Sequence, residues 1–338
     1  MRVGFNPHKD KPLDQSDYLH QVIIPVFIPH FEDYYKDAFT ILKHCLNSLL
    51  QTMHNQTMIT VVNNGSCKEI VDYLNQLYEA NKIQEVIHTD NLGKINAIFK
   101  GLSGNNIPLV TISDSDVLFL KDWQKETIAV FNNFPKAGVV GIVPQIRTFA
   151  HLSSNLIFEK LFSNNLKFTE VKNPDAFKKF YYSIGWGENY NHDYLRWTLS
   201  IENKDFRAGV GSGHFVATYR KELFDEIKTY FGYKMGADSE KYLDESPLQK
   251  GLWRLTTNDN YAYHMGNVAE DWMTSEIQKN TVSQVEAVHF INQQKPAKVS
   301  RFSFYIKNRI FAKIFDNKAF RKYFYHFKGL PKDVAKNY

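Results

Sequence analysis

The stretch Leu109–Leu120, with the sequence LVTISDSDVLFL, holds an apolar segment followed by two carboxylates. The segment from Leu109 to Ile112 has the length and β-branched content of a strand buried in a parallel sheet. Asp114 and Asp116 follow where this strand would end. Such hard oxygen ligands suit Mg²⁺ or Mn²⁺, which proteins usually hold by one or two carboxylates plus substrate phosphates. The alternative is a solvated turn, because acids are common in turns.

Length and composition indicate a globular α/β protein with one large domain or two closely packed halves. The chain has 338 residues, of which 43% are hydrophobic, so it can bury a substantial core. No window approaches the roughly 18 apolar residues of a membrane span. The first residues lack the apolar segment of a signal peptide. Cys45 and Cys67 provide neither a disulfide framework nor a metal cluster, and we therefore expect a cytoplasmic protein.

The net charge of +5 is distributed unevenly. From Ile291 to Tyr338 there are twelve Lys or Arg residues and two acids, a net charge of +10, which leaves −5 for the rest of the chain. The basic surplus therefore lies in the tail. This distribution argues against a nucleic-acid-binding body and for a tail that contacts an anionic partner.

The first half of the chain alternates predicted strands with predicted helices. The four strands are predicted at Gln21–Ile28, Met58–Val62, Glu85–His88 and Leu109–Ser113. Helices are predicted between them at Asp37–Met53, at Ile70–Ala80 and from the turn at Asn91 to Gly101. This alternation predicts a parallel sheet with right-handed crossovers. Pro25 should end the first strand or cause a bulge, because proline removes a ladder donor.

Residues at the ends of all four predicted strands are candidates for binding a ligand, and those after the second, third and fourth strands are mostly polar. Ligands of such sheets bind outside the carboxyl ends of the strands, so these residues should collect at one edge. They are Pro25 and Val26, Asn63 and Asn64, Asn91 to Lys94, and Asp114 and Asp116.

The second half of the chain is harder to interpret. Strands are predicted at Ala137–Pro144 and Tyr261–His264, a short helix at Arg220–Ile227 and an acidic helix at Asp238–Gln249. Residues 147–204 show no clear period and are rich in Phe, Tyr and Asn. They either shape a substrate cleft or form a loop-and-helix insertion.

Four short motifs, in order, resemble those of one enzyme family. They are IIPVF at Ile23–Phe27, VVNNGS at Val61–Ser66, NLGK at Asn91–Lys94 and DSD at Asp114–Asp116. These motifs resemble glycosyltransferases of the GT-A fold, in particular glycosyltransferase family 2. The Gly-rich stretch Gly209–Phe215, then Asp238 and His264, also follow the order of this family, so the resemblance covers roughly residues 20–268.

The resemblance implies a GT-A fold, with a Rossmann-like, mostly parallel central sheet flanked by helices, and here a C-terminal basic helical tail. It implies transfer of a sugar from a nucleotide-diphosphate sugar, with Mn²⁺ or Mg²⁺, to a saccharide or lipid-linked acceptor with inversion. The alternatives are a retaining transferase on the same fold, a nucleotidyltransferase and a catalytically inactive binding protein. A nucleotidyltransferase would need a Gly-rich, basic phosphate loop after the first strand, which Pro25–Glu32 lacks.

The resemblance also implies roles for individual residues. The expected nucleotide-binding residues are Pro25, Val26, Asn63, Asn64, Lys94, Asp114 and Ser115. The expected metal ligands are Asp116, with Asp114 and His264, and the expected acceptor-binding residues are Trp186, Gly213 and His214. The expected catalytic base is Asp238, with Glu240 as the second candidate.

Two departures from the family pattern affect these roles. Asn63 stands where the family usually has Asp, so the nucleotide is open between UDP, GDP and dTDP, with a UDP-sugar as the expected donor. Ala237 precedes Asp238 where the family usually has Glu. Simpler structural roles also exist for His264, as a buried hydrogen-bonded histidine, and for Trp186, as a packed loop residue.

The tail, Phe302–Phe315 in particular, has apolar residues at helical spacing with Lys307, Arg309 and Lys313 between them. A basic amphipathic helix is typical of a segment that lies on an anionic membrane surface. The alternative is a helix that packs on the core with a solvated basic face. We expect four parts, namely an irregular lead-in (1–18), a nucleotide-sugar-binding half (19–146), an acceptor-binding and catalytic half (147–285) and the tail (286–338). The expected setting is cell-surface polysaccharide or glycolipid synthesis at the cytoplasmic face of the membrane.

Overall fold

The computed structural model describes most of the chain. The described residues are 4–6, 8–12, 16–187, 189–226, 230–232, 238–280, 286–291 and 299–338, and the side chains of 238–240 are not described. Among the residues that the structure describes, no helix is both long enough and apolar enough to cross a membrane.

Twelve strands are described. They are β1 His20–Val26, β2 Thr57–Asn64, β3 Glu85–Thr89, β4 Leu109–Ser113, β5 Val117–Phe119, β6 Ala137–Gly141, β7 Leu166–Glu170, β8 Trp197–Asn203, β9 Phe206–Val210, β10 Val216–Arg220, β11 Trp253–Thr256 and β12 Ala262–His264. Ten of them form one sheet in the order β3-β2-β1-β4-β10-β6-β11-β9-β8-β7, and β5 and β12 form a second, two-stranded sheet.

Helices cover this sheet. They are α1 Ala38–Thr52, α2 Lys68–Glu79, α3 Lys94–Leu102, α4 Trp123–Asn133, α5 Ser154–Glu159, α6 Pro174–Ser183, α7 Asp238–Gln249, α8 Asp271–Lys279, α9 Arg301–Tyr305, α10 Phe311–Asp316, α11 Lys318–Phe327 and α12 Lys332–Asn337. A π-helical turn, Ile306–Ile310, joins α9 to α10.

The four strands predicted in the first half are confirmed, and they lie side by side. β1 pairs in parallel with β2 and with β4, and β2 pairs in parallel with β3. Within the large sheet only β7, β9 and β10 run against the common direction. The sheet is therefore mixed but mostly parallel in strand direction, and the carboxyl ends of β1, β2 and β4 meet at one edge, as predicted.

The first strand ends one residue after Pro25, close to where the sequence predicts, and it has no bulge. β1 pairs with β2 up to Val26 without a shift in register. Its pairing with β4 covers only His20–Ile23, so Pro25 lies beyond that ladder and no donor is missed there.

The prediction of a helix at Arg220–Ile227 is wrong in its start. Arg220 is the last residue of β10, and only a 3₁₀ turn, Lys221–Phe224, follows it. The buried guanidinium of Arg220 donates from Nε to the Ala137 carbonyl at 2.7 Å and from Nη2 to the Pro135 carbonyl at 2.8 Å. These bonds let a charged residue occupy a central strand. Ile227 lies outside the described residues.

A buried polar network holds β1 in place. His20 is fully buried, and its Nδ1 accepts from Gln124 Nε2 of α4 at 3.0 Å. Its Nε2 can then donate to Thr111 Oγ1 of β4 at 2.6 Å. Burial, assisted by the neighbouring His54, lowers the pKa of His20 well below its usual value, so the ring is neutral. The network connects β1, β4 and α4 behind the strand ends.

The tail packs on the core. Its buried residues belong to the same apolar cluster as Phe149 and Phe168 of the body. These buried tail residues are Phe290, Phe311, Phe315, Phe324, Tyr325, Leu330, Val334, Ala335 and Tyr338. Polar contacts add to this packing, because Tyr338 Oη donates to the Trp197 carbonyl at 2.6 Å. Each buried side chain of this size contributes about 1.5–3 kcal/mol, so the helices α10 to α12 are part of the folded unit.

Candidate functional site

A cavity of about 430 Å³ lies at the carboxyl ends of β1, β2 and β4. Its volume is in the range of small-molecule sites, roughly 300–1,000 Å³. The lining includes Pro25, Val26, Asn64, Asn91, Lys94, Asp114, Ser115 and Asp116. Tyr34, Tyr35, Gly266 and Asn267 also line it. The predicted convergence of strand ends is therefore confirmed, and we call this space the strand-end cavity.

The chain changes sheets at the two carboxylates. β4 ends at Ser113, and β5 begins at Val117 in the second sheet, where it pairs with β12. The backbone of the connection is held at both ends. Asp114 N donates to the Phe215 carbonyl at 2.8 Å, and Met265 N donates to the Asp116 carbonyl at 2.8 Å. Buried residues on either side anchor this crossing, so both acids face the strand-end cavity.

Asp114 is paired with Lys94. Lys94 Nζ lies 2.6 Å from Asp114 Oδ1, and both side chains are partly buried. Lys94 is the first residue of α3, after Gly93 with φ of 84°. The turn before it is fixed by Asn64, whose Oδ1 accepts from Leu92 N at 2.9 Å. The structure therefore places a lysine cation at a helix N-terminus inside the cavity, where anions bind readily.

The carboxylate of Asp116 has different surroundings from that of Asp114. Its Oδ1 is buried and has no hydrogen-bond partner among the described residues. Its Oδ2 lies 3.4 Å from Nε2 of His264. The pKa of Asp116 is raised from 3.8 to about 6, chiefly by burial and also by the charge of Asp114, whereas His264 and Lys94 oppose the rise. We call Asp116 and His264 the acid–imidazole pair.

Hydrogen bonds assign the tautomer of His264. Ser183 Oγ donates to the Phe180 carbonyl at 2.7 Å and lies 2.9 Å from His264 Nδ1. Because Ser183 already donates its hydroxyl hydrogen to Phe180, Nδ1 of His264 carries the ring proton and donates it to Ser183 Oγ. The other ring nitrogen, Nε2, then directs its lone pair toward Asp116. Two acceptors then face each other, and a cation between them would satisfy both. A histidine ligand whose other nitrogen donates to a neighbouring group is the usual arrangement at metal sites.

The predicted metal set is only partly assembled. Within the described ranges, no three His, Cys, Asp or Glu side chains are grouped closely enough to hold a metal ion. Asp114 contacts Lys94 instead, while the acid–imidazole pair offers one oxygen and one nitrogen ligand. These residues fit a divalent metal that takes its remaining ligands from substrate phosphates and water.

Asn63 does not have the orientation that was predicted for it. It is buried, and it is not among the residues described as lining the strand-end cavity. Its Oδ1 accepts from Ser66 N at 3.0 Å, and its Nδ2 contacts His88 Nδ1 at 2.9 Å. Asn63 therefore holds the turn after β2, and the neighbouring Asn64 reaches the cavity.

The residues that position His264 were missed from the sequence. Ser183 and Phe180 lie on α6, in the segment without a clear period. Phe180 stacks on Phe215 at 5.2 Å, and both rings contact the imidazole by their edges. The signal for this helix was Asn173 followed by Pro174, a cap and first-turn pattern. Asn173 Oδ1 accepts from Ala176 N at 3.1 Å.

The predicted acceptor residues lie on separate elements. Trp186 is 60% exposed and stacks on Tyr181 at 5.1 Å, so one ring face is open. Gly213 lies against the end of the Gln145 side chain, which would have to move to make room for a larger residue. His214 Nδ1 lies 3.6 Å from Asp244 Oδ2 of α7. Burial opposes ionisation of Asp244, but the nearby imidazole of His214 and the charge of Arg254 hold its pKa below the usual value.

Arg254 joins α7 to the Gly-rich stretch. Its Nη1 lies 2.7 Å from an oxygen of Asp244, and its Nη2 donates to the Ser212 carbonyl at 2.6 Å. The helix that begins at Asp238 is therefore tethered beside this stretch. The side chains of Asp238 and Glu240 lie outside what the structure describes, so their predicted catalytic roles stay predictions.

A family model matches the chain, and several solved structures are distantly similar to it. The model of the family described as glycosyl transferase family 2 matches residues 26–228. No curated protein matches the chain. Among solved structures, a mannosyltransferase from Pyrobaculum calidifontis, PcManGT, in complex with GDP-Man and Mn²⁺ is 15% identical with a TM-score of 0.44. The alignment covers 79% of this chain and 63% of that one, so this chain spans less than two thirds of the mannosyltransferase.

A second similar structure is S. aureus TarS in complex with UDP-GlcNAc. It is 16% identical with a TM-score of 0.43, and the alignment covers 94% of this chain and 69% of that one. Both likenesses are distant. The family match is of another kind, because it extends over more than half of the chain. The chain belongs to glycosyl transferase family 2, which confirms the predicted family, the GT-A fold and the enzyme class, a glycosyltransferase.

Proposed function

We propose that this glycosyltransferase moves a sugar from a nucleotide-diphosphate sugar to a hydroxyl group of a saccharide or lipid-linked acceptor, with inversion at the sugar. The observation that carries the proposal is the strand-end cavity, in which the ammonium group of Lys94 and the carboxylate of Asp116, the acid of the acid–imidazole pair, face the same space. A nucleotide diphosphate requires both a site for its base and a cationic site for its phosphates.

The cavity offers groups for each part of the donor. Pro25 and Val26 form an apolar floor that suits a flat nucleobase. Asn64 and Asn91 carry amides, which can both donate and accept hydrogen bonds to a base or ribose. Lys94 at the start of α3 suits the diphosphate, since the helix N-terminus and the ammonium group both favour negative charge. The donor that we expect is a UDP-sugar.

The acid–imidazole pair would hold Mn²⁺ or Mg²⁺ through Asp116 and His264. When bound, such an ion neutralises the charge that develops on the leaving diphosphate. Neighbouring side chains hold His264 in position without the metal. Ser183 fixes the tautomer of His264, and the rings of Phe180 and Phe215 keep the imidazole in place.

A base must take the proton of the acceptor hydroxyl as it attacks the sugar. We assign this role to Asp238, or to Glu240, at the start of α7, because a positioned carboxylate contributes typically about 10²–10⁴-fold. The anchoring of α7 through Asp244 and Arg254 supports this assignment. One base and in-line attack invert the anomeric centre. The setting in cell-surface polysaccharide or glycolipid synthesis at the cytoplasmic face of the membrane remains a prediction from the sequence.

The experiment is a thermal-shift panel of UDP-, GDP- and dTDP-sugars with and without Mn²⁺. A ligand that binds the native state stabilises it by about 2.7 kcal/mol at a hundredfold excess over its Kd. We expect one nucleotide class to raise the melting temperature, and Mn²⁺ to increase the shift. Lys94→Ala should reduce the shift, and Lys100→Ala on the exposed side of α3 serves as the control. The absence of a shift with every nucleotide would contradict the proposal.

A further inference from the structure

The outward side of the tail exposes an unusual number of large apolar residues. They are between 45% and 75% exposed, and in α10 and α11 the opposite side of the helix is buried in the core. We call these residues the outer tail face. They are Phe302, Tyr305, Ile310, Ile314, Tyr323 and Phe327. Residues of this kind rarely cluster on a surface that contacts only water.

Their spacing gives each helix an exposed apolar ridge beside a basic one. Residues four apart lie on the same side of a helix. Ile310 and Ile314 are four apart, and the exposed Arg309 and Lys313 lie next to them with the same spacing. In α11, Tyr323 and Phe327 stack on each other at 6.2 Å with their rings almost parallel.

The basic residues of α11 repeat this arrangement. Lys318 and Lys322 are exposed and four apart, beside Tyr323 and Phe327. The inner aromatic residues of the two helices pack against each other, as Phe315 does against Phe320 and Phe324. Both helices are therefore fixed to the body by one side.

A loop of the body extends the same surface. Phe162 is 86% exposed and lies in the turn between Lys160 and Ser163. Lys328 Nζ donates to the carbonyl oxygens of both residues, at 3.3 Å and 2.8 Å. Because Lys328 directly follows Phe327, this contact places Phe162 close to the end of the outer tail face. The apolar surface is thus built from two separate parts of the chain.

We propose that the outer tail face, with Phe162, binds an anionic lipid bilayer. Its aromatic and aliphatic side chains enter the boundary of headgroups and acyl chains, and its lysine and arginine residues contact anionic headgroups. Charge complementarity selects this occupant. Between residues 299 and 338 there are ten Lys or Arg residues and only two acids, Asp316 and Asp333. A second copy of the chain would bring like charges together across the contact, which is unfavourable.

The test is flotation of the full-length protein with lipid vesicles. One set contains only phosphatidylcholine, and the other contains phosphatidylcholine with phosphatidylglycerol. We expect at least tenfold stronger binding to the anionic set and a strong decrease with salt, because exposed charges are screened. Equal binding to both sets, or no binding to either, would overturn the proposal.

Two variants separate the contribution of the basic residues to binding from that of the apolar residues. Each basic residue near an anionic surface contributes about fivefold in affinity, so the triple variant K313E/K318E/K322E should lose at least about hundredfold. Y323S/F327S should lose binding at low and at high salt. The controls are K82E/K125E and Y78S, which change exposed residues of the body and should bind as the wild type does. Unchanged flotation of both tail variants would overturn the proposal.

Light scattering tests whether a second copy of the chain covers the outer tail face instead. A dimer that Y323S/F327S converts to a monomer would assign the outer tail face to a second copy of the chain and would overturn the proposal. Exposed substitutions usually change stability little, so the melting temperatures should stay unchanged. The donor-induced thermal shift should also stay unchanged in these variants, which separates this proposal from that of the nucleotide site.

Discussion

On one side of the strand-end cavity, Lys94 neutralises Asp114 at 2.6 Å, whereas on the other side Asp116 faces His264 at 3.4 Å with its Oδ1 unpartnered among the described residues. The two carboxylates are two residues apart and belong to the same turn. Their different surroundings separate their roles. Asp114 needs nothing further, while Asp116 and the lone pair of His264 require a proton or a metal ion between them.

The difference predicts that the two acids respond unequally to removal of charge. Asp116→Asn keeps the shape of the side chain but removes the negative charge and one of the two oxygens that could bind the metal. We expect the rate of sugar transfer to fall by at least about 10³-fold, because charge on the leaving group is no longer stabilised. Asp114→Asn should lose less. The measurement is the initial rate of product formation with saturating Mn²⁺, and equal losses in both variants would break the comparison.

Lys94 should act on donor binding whether or not a metal is present. Hydrogen bonds to charged groups contribute about 1.5–3 kcal/mol, so Lys94→Ala should weaken binding of the nucleotide about ten- to hundredfold. Asp116→Asn should weaken it only when Mn²⁺ is present. Calorimetric titration of UDP with and without Mn²⁺ separates the two effects. If the effect of Lys94→Ala on UDP binding depended on the metal, separate roles for Lys94 and Asp116 would be contradicted.

In the metal-free protein, ionisation of the buried Asp116 should lower the stability of the folded state. The pKa of Asp116 is raised from 3.8 to about 6, so the folded state binds more protons than the unfolded state between these values. Stability is therefore lost as the pH rises through this window. Asp116→Asn removes the loss and should be more stable than the wild type by about 3 kcal/mol at pH 7.5. The gain should vanish below pH 4.

Denaturant unfolding at the two pH values measures this gain. Asp114→Asn is the matched control, because it breaks the ion pair with Lys94 and should not stabilise the protein. A variant Asp116→Asn that is less stable than the wild type at pH 7.5, without metal, would show that the carboxylate is satisfied by the protein alone.

Ser183 should affect the metal through His264 and not the donor directly. Residues that orient a metal ligand typically contribute about 10–100-fold to metal affinity, and we expect the lower value, about tenfold, for Ser183→Ala. Binding of UDP without metal should not change. Ser275→Ala, on the exposed side of α8, is the control. If Ser183→Ala left Mn²⁺ affinity at the wild-type value, the tautomer of His264 would not depend on this contact.

The first side of the cavity was predictable from the sequence. β1, β2 and β4 are apolar runs, polar residues stand at the ends of β2 and β4, and the parallel arrangement brings the three ends together. The side chain that reaches the cavity was less predictable, since Asn63 and Asn64 are adjacent and opposite in direction. The orientation of a strand residue depends on register, and register is set by pairing with β1 and β3.

The second side depends on contacts between distant parts of the chain. Ser183 and His264 are 81 residues apart. Neither carries a local pattern that indicates the other, although the capping pattern at Asn173 could have revealed α6. The tail shows the same limit. Its helical spacing was visible, but which apolar residues enter the core and which form the outer tail face depends on packing against the body.

The most direct measurement of the central claim is a titration of Mn²⁺ followed by electron paramagnetic resonance, in which bound Mn²⁺ loses the signal of the free ion. It is performed with wild type and Asp116→Asn, each in the presence and absence of UDP. The account predicts that the wild type binds one Mn²⁺ per chain, more tightly with UDP, and that Asp116→Asn loses this binding while its fold is kept. Equal binding of Mn²⁺ by both proteins would contradict the account.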